Sequence, residues 1–386
     1  MYEGPEHGMS RWISGILLFL AMTVGMQRRA YVVSPTEYVG SEACVACHPT
    51  VYRDFMKTGH AHLVNATQGD QPPHYPFSSV PSPPEGYGWS DISYVIGGYG
   101  WKARFLDRRG YLITGEAAQY NLATKAWAPF HPECPSGSMI YDCAECHTTG
   151  WLSCEENGGA HQEALEGISG TWVFPGVQCE RCHGEGGEHV ARGGDPQAIV
   201  ADPSSQLCGQ CHYLNGKPRV DAQGGLMLSD QYDQLLNSPH RMLTCVVCHD
   251  PHKSTRYGLG GVKKDPGCRG CHRVQRVDIP QMADLACEQC HMPLVATSAV
   301  RRTVGGRVRG DMHSHTFKLH TDLEAQMFSE DGRFMVLDGL GNAVVRVEMA
   351  CQECHNGERA WAQCVGWMVE HARQIHQGMH EGSDKR

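Results

Sequence analysis

The chain repeats one short pattern of sulfur and nitrogen side chains eight times. Two cysteines separated by two residues are followed directly by a histidine, as in Cys44-Val-Ala-Cys47-His48. In chain order these motifs, called motifs 1 to 8 below, are Cys44/Cys47/His48, Cys143/Cys146/His147, Cys179/Cys182/His183, Cys208/Cys211/His212, Cys245/Cys248/His249, Cys268/Cys271/His272, Cys287/Cys290/His291 and Cys351/Cys354/His355. Motifs 2 to 7 follow one another closely, between residues 143 and 291.

The pattern Cys-x-x-Cys-His is the attachment signature of c-type haem. Two thiols three positions apart can reach both vinyl groups of one porphyrin, and the next histidine then falls beneath the iron as its proximal ligand. Redox dithiols and zinc sites also use Cys-x-x-Cys, but they do not need a histidine after every second cysteine. All eight repeats have that histidine, so the sequence predicts eight covalently bound haem c groups.

The histidines outside the motifs decide what each iron can do. Of 23 histidines, fourteen remain after the motifs and His7 of the leader, enough for a distal ligand on every iron. Iron with two histidine ligands is closed to substrate and suited to electron transfer, whereas an open position permits chemistry. The distal candidates lie beside motifs or on the last predicted helix, and they are His60, His131, His161, His189, His240, His252, His315 and His371. Three choices stay open: His60 or His62, His313 or His315, and His371 or His376.

The density of motifs determines the predicted fold class. Between motifs 2 and 7 the chain has only about 25 residues per haem, too few for a separate apolar core around each one. We therefore predict a mainly α and irregular fold packed around haem. Short helices are expected from Ser41 as N-cap, over residues 50–57 and over residues 358–377. A small antiparallel β insert is expected between haems 1 and 2, with strands at residues 92–96, 101–106, 111–114 and 119–127, and a β-hairpin before haem 8, at residues 333–337 and 343–347.

Changes in composition divide the chain into six segments. We expect a signal peptide or short anchor at residues 1–25, the haem 1 segment at 36–70, a Pro-rich loop and small β insert at 71–131, the dense core of haems 2–7 at 132–300, an Arg-rich linker with a distal-histidine segment and hairpin at 301–350, and haem 8 with a C-terminal helix at 351–386.

The apolar run at residues 12–26 predicts export. It is short for a membrane-spanning helix and has the length of a signal-peptide core. Arg28 and Arg29 directly after it keep an uncleaved anchor as the alternative. We expect a periplasmic or extracellular protein that touches a membrane only through this segment, if it is uncleaved. The net charge of −9 disfavours a nucleic-acid partner. Redox proteins, other multihaem cytochromes or copies of the chain itself are the expected partners.

Three cysteines remain outside the motifs, namely Cys134, Cys154 and Cys364. Because Cys134 and Cys154 flank motif 2, an oxidising compartment would allow a disulfide between them. Two separate thiols are the equal alternative.

Several segments resemble the cytochrome c554-like multihaem cytochromes. Residues 38–48 with Thr58-Gly-His60, residues 141–150, residues 177–184 with His189, and residues 287–293 are similar to segments of that superfamily. It includes pentahaem nitrite reductases, hydroxylamine oxidoreductases and octahaem reductases. The resemblance implies haems in closely stacked pairs that form a continuous wire, with two histidines on most irons.

The enzymes of this superfamily have marks that can be sought in the sequence. No motif here ends in Lys, as the active motif of nitrite reductases does, and no widely split cysteine pair of the sulfite-reducing type is evident. A tyrosine cross-link of the hydroxylamine oxidoreductase type has Tyr111, Tyr120, Tyr232 and Tyr257 as candidates. For a lysine ligand of the tetrathionate type the candidate is Lys102.

These observations favour an exported octahaem electron-transfer protein that could also assemble into filaments. The alternative is a reductase or oxidase of nitrogen or sulfur compounds (nitrite, hydroxylamine or tetrathionate) with one open haem.

Eight attached haems would add about 616 Da each to the mass of the processed chain. We expect intact-mass spectrometry of protein matured by a competent host to show that increment eight times. A mass that fits six haems or fewer would contradict the count.

Overall fold

The computed structural model describes residues 38–213, 217–221, 224–227, 230–264, 267–273, 275–304, 307–358, 360 and 362–376. The predicted signal segment at residues 1–25 lies outside these ranges. No helix in the described ranges is long and apolar enough to cross a membrane.

A five-stranded antiparallel sheet is the largest regular element, and its strands lie side by side in chain order. They are β1 (Val64–Ala66), β2 (Ile92–Gly97), β3 (Lys102–Asp107), β4 (Gly115–Asn121) and β5 (Ala126–Phe130). Ile92 and Val95 of β2 and Phe105 and Leu106 of β3 are fully buried. They belong to the larger apolar core, which extends to Tyr141 and Ile168. The sheet therefore packs against the segments on either side of motif 2.

The strands differ from the predicted ones in three places. The sequence pattern did not predict β1, which pairs with β2. Residues 111–114 form no strand, and Leu112 makes only isolated bridges to Leu106 and Met139. The predicted strand at 119–127 is divided between β4 and β5 by a turn in which Lys125 has a left-handed backbone, with φ of 53°. Such a turn is difficult to predict because lysine rarely adopts that conformation.

The helices are short, and most of them hold a motif. They are α1 (Pro49–Phe55), α2 (Ala144–His147), α3 (Cys179–His183), α4 (Gly187–Ala191), α5 (Ser205–His212), α6 (Gln231–Leu236), α7 (Cys245–Cys248), α8 (Gly267–Cys271), α9 (Cys287–His291), α10 (Val347–Cys351) and α11 (Val365–Gln374). Motif 1 begins in a 3₁₀ helix, Ser41–Ala46. Prolines and glycines between the motifs stop each helix after one or two turns.

Two helix boundaries differ from the prediction for identifiable reasons. Ser41 does not cap its helix, because Gly40 holds that position. Its hydroxyl instead donates to Oε1 of Gln178 at 2.6 Å and accepts from the backbone N–H of Cys179 at 3.1 Å. This contact joins motif 1 to motif 3. The last helix begins at Val365 rather than near residue 358.

Four two-stranded sheets complete the fold. They pair β6 (Thr148–Thr149) with β7 (Phe174–Pro175), β8 (Leu294–Ala296) with β11 (Met312–His313), β9 (Arg302–Val304) with β10 (Arg307–Arg309), and β12 (Leu319–His320) with β13 (Val345–Arg346). The hairpin predicted before motif 8 is reduced to one bridge between Leu337 and Ala343. Residues 345–346 pair in parallel with β12 instead. Around these strands a second apolar core contains Val295, Met335 and Val345.

Gly110 lies in the turn that follows β3 and packs closely against the segment after motif 2. Its φ is +86°, and a Cβ there would lie 2.7 Å from Cγ1 of the buried Ile168. Gly86 has a similar φ of +89° with open space around it. Both Gly→Ala changes cost about 1–2 kcal/mol for the left-handed backbone. Only Gly110→Ala adds a steric clash, which raises the cost to about 3–4 kcal/mol.

We therefore expect Gly110→Ala to lower the thermal midpoint clearly more than Gly86→Ala does, measured at one scan rate on haem-loaded protein. Equal midpoints for the two variants would contradict the close packing of Gly110 on Ile168.

Candidate functional site

Each motif with a described helix uses one turn of backbone to bring its three side chains together. The amide of the motif histidine donates to the carbonyl of the first cysteine, at 2.8 Å in motif 1 and 2.9 Å in motifs 5, 6 and 8. This is the i to i+4 bond of an α-helix, and it places residues three and four positions apart on one face. The two thiols and the imidazole therefore project from the same side of the turn, as haem attachment requires.

Six of the eight motif histidines face a second histidine ring. The ring centroids lie 6.5 Å apart for His48 and His189, 6.3 Å for His212 and His60, 6.0 Å for His183 and His252, 6.1 Å for His249 and His315, 5.9 Å for His272 and His240, and 6.1 Å for His291 and His376. In every pair the second ring comes from a segment remote from its motif in the chain. The narrow range of distances is the main regularity of the site.

This spacing fits one metal ion between two imidazoles. A metal–imidazole bond is about 2 Å long, and the ring centre lies about 1 Å behind the nitrogen, so two rings that share an ion have centroids about 6 Å apart. Rings in direct contact lie closer, as the Trp367 and His371 rings do at 3.7 Å. The donor set of two thiols and a proximal imidazole, with a second imidazole opposite, fits a haem with two axial histidines.

Hydrogen bonds fix the orientation of several of these rings. Nδ1 of His189 bonds to the carbonyl of Asp195 at 2.8 Å, and Nδ1 of His376 bonds to that of Arg276 at 2.6 Å. Nδ1 of His183 bonds in the same way to the carbonyl of Val200 at 2.6 Å. A carbonyl can only accept, so Nδ1 carries the proton and Nε2 keeps its lone pair for a metal.

The geometry separates the alternatives that the sequence left open. His60 faces His212, whereas Nε2 of its neighbour His62 bonds to the carbonyl of Met56 at 2.9 Å and its ring stacks on Tyr99. His315 faces His249, and its pKa is lowered to about 3, first by burial and then by His249. In the third choice, His376 faces His291. His371, the residue that the sequence favoured, lies elsewhere.

His371 lies near motif 8 rather than motif 7. It lines a small cavity of about 20 Å³ together with His355 and Trp367. The Trp367 ring stacks on His371 and lies 5.9 Å from His355. Nδ1 of His371 donates to the carbonyl of Trp367 at 2.9 Å, which leaves Nε2 of His371 free to accept.

Two predicted distal ligands are placed against other groups. The His131 ring contacts Phe130 at 4.7 Å, and its Nδ1 bonds to Glu133 at 2.8 Å. Nδ1 of His161 bonds to the carbonyl of Ile168 at 2.6 Å. Among the described residues, neither ring lies opposite a motif histidine.

Motif 2 has surroundings unlike those of the six paired motifs. In the described part of the chain no second histidine ring lies opposite His147, and its Nδ1 lies 3.2 Å from the hydroxyl of the buried Tyr141. The pKa of His147 is lowered to about 4, first by burial and then by the positive charges of Arg104 and Lys102. Burial also lowers the pKa of Lys102 to about 7. The charges of two side chains of β3 thus act on the histidine of this motif.

The sequence pattern contained part of this signal. Lys102 was selected there through the family resemblance, while Arg104 and Tyr141 were not. Residues 102 and 104 alternate on one strand and therefore share one face of the sheet. Two charged residues on one face of a half-buried strand are unusual, and this pattern was the sequence signal for a functional site.

Contacts between cysteines show which motifs are neighbours. The thiols of Cys44 and Cys179, Cys146 and Cys211, Cys208 and Cys245, and Cys268 and Cys287 lie close enough to shift each other's pKa. The same holds for Cys182 and Cys211, Cys248 and Cys271, and Cys290 and Cys354. These contacts give the order of motifs 1, 3, 4, 5, 6, 7 and 8, with motif 2 beside motif 4.

The cysteines outside the motifs are not joined to one another. Cys134 and Cys154 are both free thiols. Sγ of Cys154 accepts from the backbone N–H of Gly170 at 3.1 Å, whereas Cys134 lies beside His131 and Glu133. Of the two arrangements that the sequence allowed, the structure has separate thiols.

Two family sequence models match parts of the chain. The family described as cytochrome c554 and c-prime matches residues 123–184, and the doubled CXXCH motif matches residues 238–277. The first match covers motif 2 and motif 3, and the second covers motifs 5 and 6.

Two curated proteins are similar in sequence. Multiheme cytochrome MtrA of Shewanella baltica (strain OS185) is 23% identical over 161 residues, which are 37% of this chain and 44% of MtrA. Dissimilatory sulfite reductase MccA of Wolinella succinogenes is 22% identical over 387 aligned residues, which are 72% of this chain and 53% of MccA. The chain thus spans about half the length of the curated relatives it matches.

Two solved structures share the fold. The outer cell wall cytochrome OcwA has a TM-score of 0.53 at 17% identity, with 86% of each chain covered. The Wolinella succinogenes octaheme sulfite reductase MccA has a TM-score of 0.57 at 16% identity, with 82% of this chain and 65% of that chain covered.

His60 and His62 form a matched pair for testing the facing geometry. We expect His60→Ala to keep the covalent haem content but to convert one low-spin iron to high spin and raise its potential, because one axial imidazole is lost. His62→Ala should leave the low-spin count unchanged. Quantitative electron paramagnetic resonance of the oxidised protein measures both. The same conversion is expected for His189→Ala, His240→Ala and His252→Ala. A fully low-spin His60→Ala protein would contradict the assignment.

Proposed function

We propose that this chain, a multihaem c-type cytochrome, is an exported protein that carries electrons along eight haem c groups with two histidines on most irons. The observation that supports the proposal is the set of six facing histidine pairs with centroids 5.9–6.5 Å apart. Haem bound at these sites supplies a one-electron iron couple held at the potential that its ligands and surroundings set. The two facing imidazoles would hold the haem iron from both sides, so these sites would serve electron transfer and exclude substrate.

The order of the motifs supports a continuous path. Sulfurs of successive motifs approach one another from motif 1 through motifs 3, 4, 5, 6 and 7 to motif 8. In haem-loaded protein these sulfurs are thioethers, which do not ionise but lie equally close to one another. Motif 1 and motif 8 form the two ends of the path, and motif 2 forms a side branch at motif 4 through Cys146 and Cys211.

The relatives and the charge of the chain support export and protein partners. MtrA is named a multiheme cytochrome, and OcwA is described as an outer cell wall cytochrome. The chain has a formal net charge of −9 before haem propionates are added. A periplasmic or extracellular protein of this charge would exchange electrons with redox proteins that present a basic surface, with other multihaem cytochromes or with copies of itself.

A second candidate function rests on motif 2. Its histidine has no facing histidine among the described residues, and the cations Lys102 and Arg104 lie within electrostatic range. An open iron beside two cations would suit reduction of a sulfur or nitrogen oxyanion such as sulfite, nitrite or tetrathionate. The similarity to MccA, which is named a sulfite reductase, favours sulfite among them.

The spin state of the oxidised protein and its response to oxyanions distinguish the two functions. We expect reduced protein to pass electrons to soluble redox acceptors rapidly and to show no turnover with millimolar sulfite or nitrite. The second function requires one high-spin iron whose spectrum changes with sulfite. It also requires Lys102→Met to weaken that change by about tenfold or more, because a buried cation then no longer attracts the anion.

Lys57→Met serves as the control, since Lys57 lies outside the cationic pair of motif 2. If the sulfite-dependent change in the spectrum is lost in Lys102→Met and kept in Lys57→Met, oxyanion reduction is the function and electron transfer alone is overturned.

A further inference from the structure

Three metal-binding side chains converge in a turn that belongs to no motif. The ligand atoms of His131, Glu133 and Cys134 all lie within 4.8 Å of one another. Nδ1 of His131 is 2.8 Å from the carboxylate of Glu133. None of the three is used by haem attachment, and Cys134 is a free thiol. The turn directly follows strand β5, at the edge of the five-stranded sheet.

The backbone of this turn is already in the conformation that brings the ligands together. His131 has a left-handed φ of 43°, which costs a non-glycine residue about 1 kcal/mol or more and therefore needs support. The N–H of Cys134 donates to the carbonyl of His131 at 3.0 Å, and the Thr114 hydroxyl donates to the carbonyl of Cys134 at 2.9 Å. Pro132, between His131 and Glu133, and Pro135, directly after Cys134, restrict the backbone of the turn. Binding an ion would need little further ordering of the chain.

The chemistry of the three groups selects a class of metal. Imidazole nitrogen, thiolate sulfur and carboxylate oxygen are the zinc ligands of proteins, at about 2.0–2.3 Å from the ion. Hard cations such as Mg²⁺ and Ca²⁺ take oxygen ligands instead. About half of the His131 side chain and two-thirds of the Glu133 side chain are exposed, so an ion can enter from solvent. Three protein ligands leave a fourth position of a tetrahedral ion open to water or to another group.

We propose that His131, Glu133 and Cys134 form a binding site for a zinc-class divalent cation. On binding, Cys134 ionises and releases its proton, and the imidazole proton of His131 moves from Nδ1 to Nε2. The ion then replaces the hydrogen bond between His131 and Glu133. The bonds formed are one each to imidazole nitrogen, sulfur and carboxylate oxygen, with no change of oxidation state. The site would join the end of β5 to the segment that leads to motif 2.

The site can be tested with Zn²⁺ alone on the haem-loaded protein. Native mass spectrometry should show one added ion of about 64 Da per chain that is absent from Cys134→Ser and kept in Cys154→Ser. Cys154→Ser is the matched control, because Cys154 is also a thiol outside the motifs but its Sγ lies against Gly170. Haem content and the visible spectrum should be the same in all three proteins, which verifies folding independently of zinc.

Thiol reactivity provides a second measurement. Zn²⁺ should slow alkylation of Cys134 by at least about tenfold, since the bound thiolate is no longer a free nucleophile. Peptide mapping should show unchanged rates at Cys154 and Cys364. Glu133→Gln should weaken this protection without removing it. Equal zinc retention by the parent and Cys134→Ser, or an unchanged alkylation rate at Cys134, would overturn the proposal and leave the electron-transfer function untouched.

Discussion

Two imidazole rings can share one ion only if the chain holds them facing each other about 6 Å apart, and six pairs of rings meet that condition here. Each of the six pairs joins a motif to a remote segment. His48 pairs with helix α4 after motif 3, His212 with the helical turn after motif 1, and His183 with the loop after motif 5. The pairs therefore interlock the chain. The entropic cost of closing a loop grows only slowly with its length. Pairs between remote segments therefore cost little more than pairs between near ones.

The protein around the pairs is ordered mainly by the two apolar cores. The first core holds the five-stranded sheet against the segments near motif 2, and the second holds the short strands near motifs 7 and 8. Between them, Nδ2 of Asn121 on β4 donates to the carbonyl of Ala299 at 3.1 Å. The carboxylate of Asp311 accepts from the backbone N–H groups of Ser298, Ala299 and Val300. The sheet is thus fixed to a loop that is itself rigid, which positions Lys102 and Arg104 beside motif 2.

Motif 2 and the paired motifs differ in the groups that lie near the motif histidine. The same short helical turn presents the cysteines and the histidine in α2 and in α9. In α9 the ring of His291 faces His376, whereas in α2 His147 lies beside the Tyr141 hydroxyl, and the charges of Arg104 and Lys102 help to lower its pKa. The two proposed functions thus differ in what the rest of the fold places opposite an identical motif.

Local sequence was sufficient for the motifs and the short helical turns that hold them. The eight motifs, the shortness of their helices and the existence of the β insert follow from spacing of three and four residues, from alternation and from prolines, all of which act within a few positions. The structure kept strands β2 and β3 close to their predicted positions. It divided the fourth expected run, 119–127, at Lys125 and replaced the last hairpin with a parallel pair, because both depended on contacts beyond the local pattern.

The facing rings were decided by the tertiary structure alone. His60 and His62 lie two positions apart in the same short helix with similar neighbours, and nothing local shows that one meets His212 and the other Tyr99. His371 and His376 lie in the same C-terminal segment, and only the packing of α11 places His376 against motif 7. The motif histidine is positioned by a hydrogen bond from its N–H to the residue four positions before it. The ring opposite it depends on how distant segments pack, which a local pattern does not contain.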